Sequence, residues 1–144
     1  MVAYADTSFL FSLYAQDAHT ALAARIGGTL NVPLVLTPLQ GYELRNSLRL
    51  AVFRGDLTAK ECQHLLNMVE SDIKAGALVA TPVAWAEVFA EAEALSAAHT
   101  EAIGARAFDV LHVAAAVALG AKEFFTFDIR QKALAAKAGM RVKP

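Results

Sequence analysis

The chain has 144 residues, 56% of them apolar and 19% charged, with a formal net charge of −1. Such a length and apolar share suit one domain, residues 1–144, with its own core, and exclude a disordered chain, which lacks the apolar surface to offset its ordering entropy. The longest apolar run, Val113 to Leu119, is too short to cross a bilayer, so no membrane association is expected. Met1 leads at once into an acid-bearing, strand-like segment rather than a basic region and a long apolar run, so a cytoplasmic protein without a signal peptide is expected. Cys62 is the only cysteine, which leaves no internal disulfide and no thiolate metal cage. Near-neutrality argues against wrapping nucleic acid by bulk charge. It hides a gradient, however: residues 1–55 sum to +1, residues 56–109 to −6 and residues 110–144 to +4.

Val2-Ala3-Tyr4-Ala5 reads as a buried strand ending at Asp6-Thr7-Ser8, with a helical pattern from Thr7 to about Tyr14. A helix capped by Asp17 follows, stopped by Gly27-Gly28. Leu34-Val35-Leu36 is the next strand, and Thr37-Pro38 opens a helix running to about Arg54. Thr58 and Glu61 form a capping box, heading a helix with Leu65, Leu66, Val69 and Ile73 on one face. Leu78-Val79-Ala80 is a short strand, after which Thr81-Pro82 predicts another helix start, reaching about His99. An apolar helix spans about Ala105 to Leu119, Phe124-Phe125-Thr126 is a strand, and Asp128 leads a last helix toward Gly139. Met140-Arg141-Val142 supplies a further edge strand. Short apolar strands alternating with helices predict an α/β domain with a parallel sheet covered on both faces.

Ligands of such sheets bind outside the carboxyl ends of the strands. Asp6 and Asp128 lie just past two strand ends, Glu43 lies early in the helix after Leu34–Leu36, and Asp109 lies early in the apolar helix. Clustered carboxylates repel one another and take up protons unless a cation neutralises them. Four of them match the charge of two divalent ions, and oxygen donors suit Mg²⁺ or Mn²⁺. Ions of this kind activate water for in-line attack on phosphorus without a nucleophilic side chain. The bland alternative stands beside this: Asp6 and Asp128 equally suit helix capping, and Arg106 is placed to pair with Asp109. The signal lies in the four acids together.

The segments Tyr4-Ala-Asp6-Thr-Ser8, Tyr42-Glu43-Leu-Arg-Asn46-Ser-Leu48, Arg106-Ala-Phe-Asp109-Val-Leu-His112 and Thr126-Phe-Asp128 resemble the four motifs of PIN-domain ribonucleases, with the small VapC-type bacterial toxins matching best in length and layout. The resemblance covers essentially the whole chain, and its first and third motifs are the most specific. It implies a PIN-like α/β/α sandwich of four to five short strands and a Mg²⁺- or Mn²⁺-dependent endoribonuclease. The implied metal ligands are Asp6, Glu43, Asp109 and Asp128, supported by Ser8, Asn46 and Thr126. It also implies a homodimer and a cognate antitoxin whose tail occupies a groove near the site. A structured RNA such as a tRNA is the expected substrate class. Arg130 departs from the pattern, standing where many relatives carry another polar or acidic group.

Arg45, Arg49, Arg54, Arg106 and Arg130 are candidate phosphate contacts, with solvated helix faces as the alternative; Lys132, Lys137, Arg141 and Lys143 make the C-terminal end basic. His112, among Val110–Ala116, reads as a packed residue, and Trp85 and the phenylalanines read as core or interface. A PIN-like module that binds RNA or protein without cleaving is the competing function. A receiver-type phosphotransfer domain is disfavoured because Leu78-Val79-Ala80 ends in Thr81-Pro82 with no acceptor Asp, and no Gly-x-x-x-x-Gly-Lys loop is present.

Overall fold

Three-residue segments form the strands, apolar throughout at Ala3–Ala5, Leu34–Leu36 and Leu78–Ala80 and carrying charged residues at Glu123–Phe125 and Arg141–Lys143, and the stretches between them form the helices. The computed structural model describes residues 2–144. In chain order the elements are β1 (Ala3–Ala5), α1 (Thr7–Tyr14), α2 (Thr20–Gly27), β2 (Leu34–Leu36), α3 (Pro38–Phe53), α4 (Ala59–Ala75) and β3 (Leu78–Ala80). They continue with α5 (Trp85–Ile103), α6 (Ala107–Ala118), β4 (Glu123–Phe125), α7 (Ile129–Lys137) and β5 (Arg141–Lys143). The predicted α/β class with a parallel sheet is what the chain has, and the strands among the described residues number five. No helix of the described residues is long and apolar enough to cross a membrane.

Two compact units divide the chain, one running to Asp6 and resuming at Pro82, the other spanning Thr7–Thr81. In the first, β1 pairs parallel with β4, and β4 with β5, in a register that sets Tyr4 beside Phe124 and Phe124 beside Val142. Its core holds Tyr4, Val88, Phe124, Phe125 and Leu134. Helix α6 is apolar apart from Asp109 and His112, and Val110 through Ala116 are all buried, as expected of a helix enclosed by protein along that stretch. Its Val113-Ala114-Ala115-Ala116 stretch has no exposed surface at all, and α6 packs principally on α5. In the second unit, β2 pairs parallel with β3, setting Leu34 beside Leu78. Phe9, Leu10, Leu44, Leu48 and Val69 are fully buried there, and Phe11, Leu65 and Leu66 pack around Ala15, Leu48 and Cys62.

Helix starts follow the capping chemistry closely. The Thr37 hydroxyl accepts the Gln40 backbone N–H at 3.2 Å while the Gln40 side chain accepts the Thr37 N–H at 2.7 Å, a reciprocal box at the head of α3. Thr58 and Glu61 do the same for α4. Helices α4 and α5 end on Gly76 and Gly104, both in the left-handed conformation that favours glycine (φ 81° and 74°).

Some boundaries differ from the sequence reading. Thr81-Pro82 does not open a helix: the Thr81 hydroxyl donates back to the Val79 carbonyl at 2.7 Å, and α5 begins only at Trp85, without a side-chain cap. Asp17 does not start α2 either. Its carboxylate folds onto the His19 N–H (2.8 Å) and receives the Ser12 hydroxyl (2.8 Å), so helix begins at Thr20. β4 starts one residue earlier than predicted and leaves Thr126 beyond the strand.

Thr37 is buried and caps the helix that carries Glu43. Thr37→Ala is expected to lower stability by about 1–2 kcal/mol, with Thr37→Ser restoring most of it, measured by urea denaturation.

Candidate functional site

Asp6 follows β1 directly, and its backbone N–H continues the ladder by donating to the Phe125 carbonyl at 3.0 Å. That places Asp6 beside Thr126, one residue past the neighbouring strand. The Thr126 hydroxyl donates to Asp6 Oδ2 at 2.7 Å and accepts the Asp128 backbone N–H at 3.0 Å. All these groups are at least partly withdrawn from water, Asp6 being 5% exposed and Thr126 fully buried. A buried carboxylate retains its charge only when such donors or a cation compensate the lost hydration.

Asp128 caps α7, its Oδ1 accepting the Gln131 N–H at 2.8 Å. The capping alternative is therefore what the geometry shows for this residue, one carboxylate oxygen being engaged. Gln131, fully buried, also donates from Nε2 to the Asp109 carbonyl at 3.3 Å, so one residue touches the segments carrying both acids. Its Oε1 has no hydrogen-bond partner among the described residues.

Asp109 lies in the first turn of α6. Burial pushes its carboxyl above the usual carboxylate range, and the charge of Asp128 adds to this; Arg106 and His112 and a backbone N–H of Arg106 pull the other way. The Arg106–Asp109 pairing anticipated from the sequence exists at 3.8 Å, but the Arg106 side chain is 82% exposed, and water screens most of its charge. Desolvation and repulsion win over these opposing contributions.

In the other unit, Glu43 is half-buried on α3 and accepts the Thr7 hydroxyl at 3.1 Å. Arg45 is bound to Glu70 at 2.8 Å, which takes it away from a free phosphate-holding role, while Arg49 and Arg54 are exposed. Ser8 and Asn46 present exposed side chains. Arg130 is exposed and reaches the Gly104 carbonyl at 3.5 Å. Of the C-terminal basic residues, Lys143 and Arg141 lie 3.0 and 3.9 Å from Glu123, and Lys137 is exposed. Phe53, Phe89 and Phe108 are also exposed, whereas Phe9, Phe124 and Phe125 are core.

The structure thus brings Asp6, Thr126 and Asp128 into one hydrogen-bonded chain, with Asp109 in electrostatic reach of Asp128. The donors are oxygens throughout, which fits a hard divalent cation and excludes soft metals. As the side chains stand, no three of His, Cys, Asp and Glu among the described residues converge closely enough to hold an ion. Thr7 and Gln131 were not singled out from sequence. Gln131 had a signal, three residues after a capping Asp, but nothing local foretold its reach to Asp109.

The PIN domain family model matches residues 3–137. The chain belongs to the PIN-domain family. Its fold is shared with solved VapC-type structures at TM-scores well above chance. VapC20 of Mycobacterium tuberculosis, a sarcin–ricin loop cleaving toxin, aligns over 99% of both chains with TM-score 0.68 and 18% identity. VapBC-1 of nontypeable Haemophilus influenzae aligns over 99% of this chain and 97% of that one, with TM-score 0.64 and 15% identity. VapBC2 of Rickettsia felis, solved with a DNA fragment from its promoter, gives 0.64 and 17% over 99% and 98%. No curated protein matches significantly. The PIN-like fold expected from the four motifs is therefore the one the chain adopts.

Because the Asp109 carboxyl titrates above its unfolded value, its ionised form opposes folding. That penalty is absent below the unfolded pKa and develops as pH rises through the raised folded value. In metal-free buffer with a chelator, Asp109→Asn is expected to melt above the wild type at pH 7, the gap closing toward pH 4. Melting curves across that range check it.

Proposed function

We propose that this PIN-domain chain is a Mg²⁺- or Mn²⁺-dependent endoribonuclease that hydrolyses RNA phosphodiester bonds, and that it is the toxin of a toxin–antitoxin pair. The observation that carries this reading is the row of acids at the carboxyl ends of β1 and β4, where Asp109 is held at a cost that a divalent ion relieves. Asp6, Asp109 and Asp128 would hold the ion only once their side chains turn toward it, since they do not converge on one point as they stand; the motif resemblance implies Glu43 as a fourth ligand. When bound, the ion supplies Lewis acidity toward a phosphodiester and offsets the acids' mutual repulsion.

The chain's own residues do the positioning. Thr126 orients Asp6 through its single hydroxyl proton and fixes the turn into Asp128 through its lone pair. Thr7 orients Glu43. The exposed guanidinium groups of Arg106 and Arg130 are available to substrate phosphates, with Arg49 as a further contact. Arg45, engaged by Glu70, contributes less. Asn46 keeps an exposed polar group for substrate or water, and the motif resemblance adds Ser8 as a supporting residue.

A structured RNA is the favoured substrate class, in line with the loop-cleaving activity named for VapC20. The VapBC complexes among the fold relatives support a cognate antitoxin as partner. A homodimer, a cytoplasmic location and one PIN-like domain over the whole chain complete the reading, the last supported by the span of the family match.

Purified chain incubated with total RNA and Mn²⁺ is expected to produce discrete new 5′ ends on sequencing. Asp6→Asn and Asp109→Asn are expected to lose at least about 100-fold in rate while keeping the native circular dichroism spectrum. Mn²⁺ should raise the melting temperature of the wild type but not of the double variant, since only a native-state site is stabilised by binding. RNA bound without cleavage under these conditions would overturn the nuclease reading in favour of a binding module.

A further inference from the structure

Tyr4 and His112 lie beneath the acids. The Tyr4 ring has no solvent exposure, stacks on Phe124 (centroids 5.4 Å apart, planes 8° apart) and meets His112 edge-on at 5.9 Å. Its hydroxyl shares a 2.7 Å hydrogen bond with His112 Nδ1, the imidazole tautomer setting which atom donates. The bond joins β1 to α6 across 108 residues of chain, and His112 is 3% exposed.

The repeat geometry of strand and helix relates this pair to the acids. Side chains two apart on a strand share a face about 7 Å apart, so Asp6 follows Tyr4 on the same side of β1. Residues three apart on a helix are neighbours on one face, which sets Asp109 beside His112 one turn toward the helix start. α6 leads through a short turn into β4, which is parallel to β1, so the helix runs against the strands. Stepping from Tyr4 to Asp6 and from His112 to Asp109 is therefore a step in the same direction. Phe124 and Thr126 repeat the relation on β4. An aromatic layer of Tyr4, Phe124 and His112 thus underlies a polar layer of Asp6, Thr126 and Asp109.

Building on the metal reading above, we propose that Tyr4 and His112 are positioning residues for the acid layer. Their bond fixes the offset of α6 along β1 and, with it, the separation at which Asp6 and Asp109 meet a divalent ion. Like charges in the upper layer push the elements apart, and a short, dry hydrogen bond one layer below resists that push. Breaking it leaves a buried polar atom without its partner and frees the helix to shift, so the loss appears as weakened metal affinity.

The test is calorimetric titration of Mn²⁺ into the wild type, Tyr4→Phe, His112→Leu, His112→Asn and the Tyr4→Phe/His112→Leu double variant, with a melting curve for each. Tyr4→Phe and His112→Leu are each expected to weaken Mn²⁺ binding about 10-fold, and the double variant no further than either. His112→Asn, which sets an amide group where Nδ1 stood, is expected to return to within about threefold of wild type. Wild-type affinity in Tyr4→Phe, even with a lowered melting temperature, overturns the proposal, as do additive losses in the double variant. A wild type that binds no Mn²⁺ overturns the metal reading itself, and this proposal with it; the wild-type titration tells the two failures apart.

Discussion

Mutual repulsion of carboxylates is the constraint on which the first unit is organised. Asp109 feels both its own desolvation and the charge of Asp128, and Arg106, the larger of the charges that oppose them, stands mostly in water. The fold answers with directed hydrogen bonds in place of buried positive charge. Thr126 donates to Asp6, the α7 amide at Gln131 faces Asp128, and Gln131 fastens its own helix to the Asp109 carbonyl. Donors of this kind soften repulsion without cancelling it, and the Asp109 carboxyl stays above the usual carboxylate range. Of the basic C-terminal residues, Lys143 and Arg141 are drawn to Glu123 instead.

Much of this was readable in advance because it depends on local chemistry. The cap and proline at Thr37, the capping box at Thr58, the cap at Asp128 and the placement of Asp6 just past its strand each follow from a few adjacent residues. What local chemistry could not supply are choices between competing partners. Thr81 and Thr37 both precede proline, yet Thr81 satisfies its hydroxyl on Val79, and only Thr37 has a glutamine three residues on to close the box. Asp17 had a helix to cap and instead engages Ser12, five residues back. Long-range partners were beyond reach altogether. Nothing near Tyr4 announces His112, and nothing near Thr7 announces Glu43, because the partners lie 108 and 36 residues apart in the chain and meet only through tertiary packing.

The net charge of −1 reads differently beside these contacts. With Asp6, Glu43, Asp109 and Asp128 set aside as ion ligands, the remaining side chains sum to +3. Under the proposed function, attraction to RNA would then depend on occupancy of the acid row, because a bound ion removes the acids' charge from the sum. Affinity for substrate and affinity for metal become linked quantities, each strengthening the other through charge alone.

The buried alanines of α6 carry a consequence of a mechanical kind. Ala114, Ala115 and Ala116 let the helix backbone sit directly against its surroundings, with no flexible side chains between to absorb a change in volume. A helix seated in this way moves as a rod or not at all. One added methyl group near its far end would be felt as a displacement at Asp109, more than a turn away, rather than as a local adjustment. The acid row is in this sense levered from a distance, and sequence drift at these three alanines, which as consecutive residues point to different sides of the helix, is constrained by geometry at its opposite end.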